Sequence, residues 1–190
     1  MSIGTLVLLA LAAIAAVYTV LIYNGLVGLK HNVAKSLANI DVLLKQRHDE
    51  LPKLVDTCKQ YMQYEQQTLE RVINARSNVA SAQQRGDIGA LGSAEGELRA
   101  GLGHLFALAE NYPDLKANAT FHQLQERISG LENAIADRRE IYNESVNNNN
   151  VRLEQFPDAL IARFGSFKTF ALLHFAAAET ADVNIGTLFK

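Results

Sequence analysis

The sequence of 190 residues is short of several things, and each shortage closes off a class of explanation. It has a single cysteine, Cys58, so no intramolecular disulfide can form, which suits a reducing compartment. It has three prolines and no tryptophan, while Ala, Leu, Glu, Gln and Arg are plentiful, a composition that favours long helices. Its charges almost cancel, at a net −2, and acids and bases are mixed along the chain, so there is no basic stripe to grip nucleic acid. No charged side chain occurs before Lys30. Alternating apolar and polar runs bounded by turns, the mark of strands, are absent.

Catalytic and metal-binding patterns are missing as well. No H-E-x-x-H, C-x-x-C, Walker or G-x-S-x-G motif occurs. A di-metal bundle needs Glu-x-x-His pairs, and the residues three before His31, His48, His104, His122 and His174 are Gly28, Lys45, Gly101, Ala119 and Ala171. Gly101-Leu102-Gly103 follows no strand and lacks a third glycine, so it is no dinucleotide loop. These absences predict a protein without an active site, cofactor or metal. Cys58 lies on an apolar seam and reads as core.

What is present begins with an apolar run. Residues 3–23 read IGTLVLLALAAIAAVYTVLIY, about the length needed to cross a bilayer as a helix. Tyr18 and Tyr23 suit the membrane interface. Ala13-Ile14-Ala15 offers a signal-peptidase-like site, but the positive n-region is missing and the run continues to Leu29, which favours an anchor over a cleaved signal. Lysine bias, from Lys30 and Lys35 with Lys45 and Arg47 beyond, puts the N-terminus outside and the main domain in the cytoplasm.

Beyond the anchor, Val33, Leu37, Ile40, Leu44, Leu51, Leu54, Cys58, Tyr61, Leu69, Val72 and Val79 recur in a 4-3-4-3 spacing, a coiled-coil-like seam. The seam keeps its register across Pro52, so the spacing favours one kinked helix over a reversal near Arg47 to Glu50. Such a helix from Gly28 to Arg85 would be roughly 85 Å long. Gly86, Gly89 and Gly92 are expected to break it. A second helix is expected from about Ser93 to Tyr112, with Leu98, Leu102, Leu105 and Ala109 as its stripe. A third is expected from Asn118 to Phe156, weak at Asn147 to Asn150, and a short one from there to Phe164. The fold class is therefore all-α: a transmembrane helix followed by an elongated antiparallel bundle of three to four helices. The division is residues 1–29 as anchor, 30–156 as bundle, and 157–190 as a short helix with a Phe-rich tail.

Two features carry the functional candidates. Arg47, Glu65, Arg76 and Arg138 fall where the seam should be apolar. Buried charges need partners, here acids such as Glu65, Glu95 or Glu132, so Arg47, Glu65, Arg76, Glu132 and Arg138 form a candidate polar network that sets register. Solvated side-chain tips at the seam edge are the simpler alternative. The second feature is the tail, where Phe164, Phe167, Phe170 and Phe175 could contact a membrane or a partner, or simply dock on the bundle.

These residues resemble the LemA family. The resemblance is carried by Tyr23-Asn24, Asn32-Val33, Ile40 to Lys45, Arg47, Asp49, Pro52, Leu54-Val55, Tyr61, Glu65 and Ala75-Arg76. It continues through Ala94 to Leu98, Leu108 to Glu110, Tyr112 to Asn118, Phe121, Leu124-Gln125, Glu132-Asn133, Ile135, Arg138, Tyr142-Asn143 and Phe156-Pro157. Lys53 stands where the family usually has Asn, a Trp near Leu37 is missing, and asparagines replace a Tyr-Asn pair. The resemblance implies a bacterial inner-membrane protein with a short exterior N-terminus, a helical bundle and no known reaction, acting near membrane proteases or in membrane organisation. The combined expectation is a membrane-tethered scaffold with the lipid bilayer and its own copies as partners. The alternative is an adaptor for another membrane protein such as a protease.

Overall fold

A computed structural model describes residues 2–174, and among them every regular element is helical. In chain order these are α1 (Ile3–Lys59), α2 (Gln66–Arg85), α3 (Ile88–Ala109), α4 (Pro113–Lys116), α5 (Ala119–Glu154) and α6 (Asp158–Phe164). The described residues divide into two compact units, one of residues 2–40 with 137–172 and one of residues 41–136 with 173–174.

In the second unit, four helical stretches pack in antiparallel order. α1 runs through Pro52 without a break, because Leu51, Leu54 and Val55 around it are all buried and outweigh the missing backbone donor. The expected single helix to Arg85 does not form. α1 stops at Lys59, and the N–H groups of Tyr61 and Met62 both turn back to the Cys58 carbonyl, at 3.0 and 2.8 Å. Met62 is sealed inside this corner, and Asn118 donates to the Tyr61 hydroxyl at 3.0 Å. A straight continuation would leave Leu69, Val72 and Val79 facing water. The reversal buries all three. Arg76 meets His48 and Gln83 meets Asp41, pairs that run in opposite directions along the two helices.

The second helix also starts earlier than its glycines suggest. Gly86 takes a left-handed conformation (φ 64°) that ends α2, with the N–H groups of Gly86 and Asp87 bonding to the carbonyls of Gln83 and Ala82. Asp87 then caps α3 by accepting from the Ala90 N–H at 2.9 Å, so α3 begins at Ile88 and runs through Gly89 and Gly92. Gly92 is there for space: a Cβ on it would lie 1.9 Å from the His174 carbonyl oxygen. Leu173 is buried beside it. Asn118 caps α5 in the same manner, accepting from the Phe121 N–H at 3.0 Å.

In the first unit, residues 3–21 of α1 are exposed along their whole length. α1 is the one described helix long and apolar enough to cross a membrane. Where the run ends, Ile22 and Leu26 become buried, covered by Ala162 with Leu153, Ile161 and Phe167. α5 continues through all four asparagines, which are far from idle. Asn150 holds the Phe170 backbone from both sides, donating to its carbonyl at 2.9 Å and accepting from its N–H at 3.0 Å. Tyr142 is buried and donates to the Ala171 carbonyl at 2.9 Å. A Ser36–Ser145 hydroxyl pair at 3.0 Å ties α1 to α5.

Candidate functional site

The densest chemistry lies in the second unit, where Arg47 comes off the seam of α1 between buried Leu44 and Leu51. Its guanidinium forms a buried ion pair with Glu95 of α3 and reaches Glu132 of α5 at 3.4 Å. The side chains of Arg47 and Glu95 are each 3% exposed and that of Glu132 is 17% exposed, so little water screens the cluster. One cation faces two carboxylates. Burial pushes the Glu95 carboxyl up from its ordinary value, Arg47 pulls it down, and Glu132 pushes it up again, with a net upward shift. The Arg47 Nε has no hydrogen-bond partner. The cluster thus joins three helices through one planar donor.

Around it the sequence-expected network separates into pieces. Arg47 and Glu132 meet, but the remaining candidates lie elsewhere. Arg76 donates through Nε to the His48 carbonyl at 2.9 Å and through a terminal nitrogen to His48 Nε2 at 2.6 Å. Because a guanidinium can only donate, Nε2 must accept and the imidazole is neutral. Burial and the nearby Arg76 charge both hold the His48 pKa below its ordinary value. Glu65, in the corner after α1, accepts from the Tyr112 hydroxyl at 3.2 Å. Burial and the Glu65 carboxylate raise the pKa of that phenol. Arg138 belongs to the first unit and is exposed. Periodicity put Arg47, Glu65 and Arg76 on one stripe and Arg138 on that of the third helix, but the corner at 60–65 sends the first three to different neighbours.

Sequence reasoning missed His48, Glu50 and Asn150 as working polar groups. Glu50 is buried and binds Lys53 at 3.1 Å and Arg127 at 3.2 Å. Its i,i+3 spacing to Lys53 was the available signal.

In the tail, Phe167 stacks edge-on against Tyr23 with centroids 5.6 Å apart, and Phe170 is half-buried in the grip of Asn150. Both dock on helices of their own unit. Phe164 is 90% exposed and docks on nothing, and Phe156, expected on the stripe of the third helix, is also exposed. Phe175 lies outside the described residues.

Two further features bear on chemistry. Cys58 is fully buried, and burial raises its thiol pKa to about 12, which favours the neutral thiol of a core residue. A groove of about 440 Å³ between α2 and α3 is lined by polar groups including Arg71, Asn74, Asn78, Glu97 and His104. Among the described residues, no three His, Cys, Asp or Glu side chains gather as a metal set.

The family model described as the LemA family matches residues 36–186. The chain is also similar to "Magnetosome protein MamQ" of Magnetospirillum gryphiswaldense, 23% identical over 95% of this chain and 75% of that protein. Magnetosome proteins MamQ 1 and MamQ 2 of Paramagnetospirillum magneticum are each 24% identical, over 86% of this chain and 69% of theirs.

Proposed function

This chain belongs to the LemA family, and on that footing we propose that it is a membrane-anchored, non-enzymatic helical scaffold that self-associates at the bacterial inner membrane. The observation that carries the reading is the bare apolar surface at the start of α1. Ile3, Leu8, Ile14 and Leu21 are each more than 60% exposed, far beyond what a monomer in water sustains. A bilayer is the solvent that suits it, and the relatives named as magnetosome proteins support a membrane-associated role. Ala12 and Ala16, one turn apart, permit close approach of a second such helix. The lysines after the run favour an outside N-terminus and a cytoplasmic domain. The Arg47 cluster is sealed and engaged with itself, the condition of a structural group rather than one awaiting substrate.

The groove between α2 and α3, where polar side chains edge a largely apolar surface, favours a second reading, an adaptor that binds another membrane protein such as a protease. Co-expression of two differently tagged full-length copies separates the two. The scaffold requires that both tags stay in carbonate-washed membranes and that each tag pulls down the other. Recovery of single-tag complexes carrying a different protein supports the adaptor, and release by carbonate removes the anchor.

A further inference from the structure

In the first unit, the chain after α6 folds back onto α1 through two constrained residues. Ser166 takes a left-handed conformation (φ 55°), and a Cβ on Gly165 would strike the Phe167 ring at 2.6 Å. The fold-back leaves a cleft of about 530 Å³. Its wall includes Tyr23 and Val27 from the end of the apolar run, its cations are Lys30 and Lys168, and His31 and Asn149 complete the polar lining. No acid lines it, and no ion pair to Lys30 or Lys168 occurs among the described residues. Elsewhere among the described residues, Lys45, Lys53, Lys59 and Lys116 have carboxylate partners.

The position of the cleft along α1 suggests what fills it. From Tyr23 to Lys30 a helix rises roughly 10 Å, enough to carry the chain through the headgroup layer of one leaflet. Ile161 and Ala162 pack on Ile22 and Leu26, which places α6 at the level where the apolar run ends. Leu160 and Phe164, one turn apart on α6, and Phe156 in the turn before it are exposed at 55%, 90% and 83%. A basic cleft beside an apolar edge, continuous with a membrane span, matches a lipid with an anionic head and acyl tails.

We propose that this cleft binds the headgroup phosphate of an anionic phospholipid, with Lys30 and Lys168 supplying the charge and the Phe156, Leu160 and Phe164 edge meeting the acyl chains. The inference rests on the reading of α1 as a membrane anchor. The test uses the full-length chain, delipidated in neutral detergent and titrated with phosphatidylglycerol or phosphatidylcholine, with bound lipid counted by native mass spectrometry. Phosphatidylglycerol should be retained about thirty-fold better, as expected for two interfacial lysines. Lys30→Gln with Lys168→Gln should abolish the preference, while Lys45→Gln with Lys59→Gln, on exposed lysines elsewhere, should preserve it. Equal retention of both lipids, or an unchanged preference in the first variant, overturns the proposal. Displacement by millimolar inorganic phosphate reassigns the cleft to a free anion and overturns it too. Carbonate extraction of the wild-type protein tells the two failures apart. A protein that stays in the membrane but shows no lipid preference refutes the cleft alone, and one that washes off refutes the anchor and the cleft together.

Discussion

Replacing Arg47 by methionine tests whether the buried cluster holds the bundle. Methionine keeps much of the arginine stem, so the change removes charge and donors more than volume. It leaves Glu95, with a side chain 3% exposed, facing Glu132 with the intervening cation gone. Breaking a buried pair from one side costs about 3–5 kcal/mol, because the remaining charge is stranded. The comparison is Lys45→Met, which breaks the Lys45–Asp49 pair whose side chains are 76% and 57% exposed. That pair is worth about 0.5 kcal/mol or less. The Glu95 carboxyl, already raised, should rise further without Arg47 and take up a proton, so the Arg47→Met penalty should shrink at pH 5 relative to pH 7.5. The assay is urea denaturation of the full chain in detergent, followed by helical circular dichroism at both pH values. A cost for Arg47→Met below about 1 kcal/mol at pH 7.5, or one equal at the two pH values, would refute the reasoning.

Other consequences follow from the same geometry. Gly92→Ala would ordinarily favour a helix by about 1 kcal/mol, but its Cβ collides with the His174 carbonyl, so Leu173 should leave its site at a cost of about 1.5–3 kcal/mol. Limited proteolysis should then cut near residue 173 faster than in wild type, and a more stable, uncut variant contradicts the packing. His48 is held neutral with its pKa below the unfolded 6.5, so below pH 6.5 the unfolded chain gains a proton that the folded chain refuses. Stability should therefore fall as the pH drops from 6.5 towards the folded value, and the fall should be smaller in His48→Gln. An identical pH profile in the two proteins rules this out. Wild-type Cys58 should not react with thiol reagents on intact folded protein, because it is fully buried with a pKa raised to about 12. In a Cys58→Ala background, Tyr64→Cys, at a position 96% exposed, should be labelled by an impermeant reagent only after cells are opened. Labelling in sealed cells would reverse the proposed orientation.

Much of the helical architecture was readable because burial leaves a period. Nearly every residue of the 4-3-4-3 seam is buried, as are Leu98, Leu102 and Leu105 on α3. The corner at residues 60–65 was not readable, because a stripe that continues in phase looks the same on a straight helix and on a hairpin. The burial of Met62, Leu69, Val72 and Val79 that the reversal brings decides between them. The glycines misled in the opposite direction: Gly86 does end a helix, but Asp87 restarts one at once, and Gly92 serves close packing rather than a turn. In the candidate site, Arg47 was legible as charge on a seam, and Glu95 and Glu132 as acids able to pair with it. The Arg76–His48 pair was not, since it exists only after the reversal brings α2 back along α1. The asparagine run reads as weak helix by propensity, and its use as a clamp on Phe170 depends on a chain segment twenty residues away.

The most direct test of the scaffold is the native mass of the full chain extracted from bacterial membranes together with its surrounding lipid. A single, defined homo-oligomer is the predicted result. A monomer, or a one-to-one complex with a different membrane protein, would contradict it.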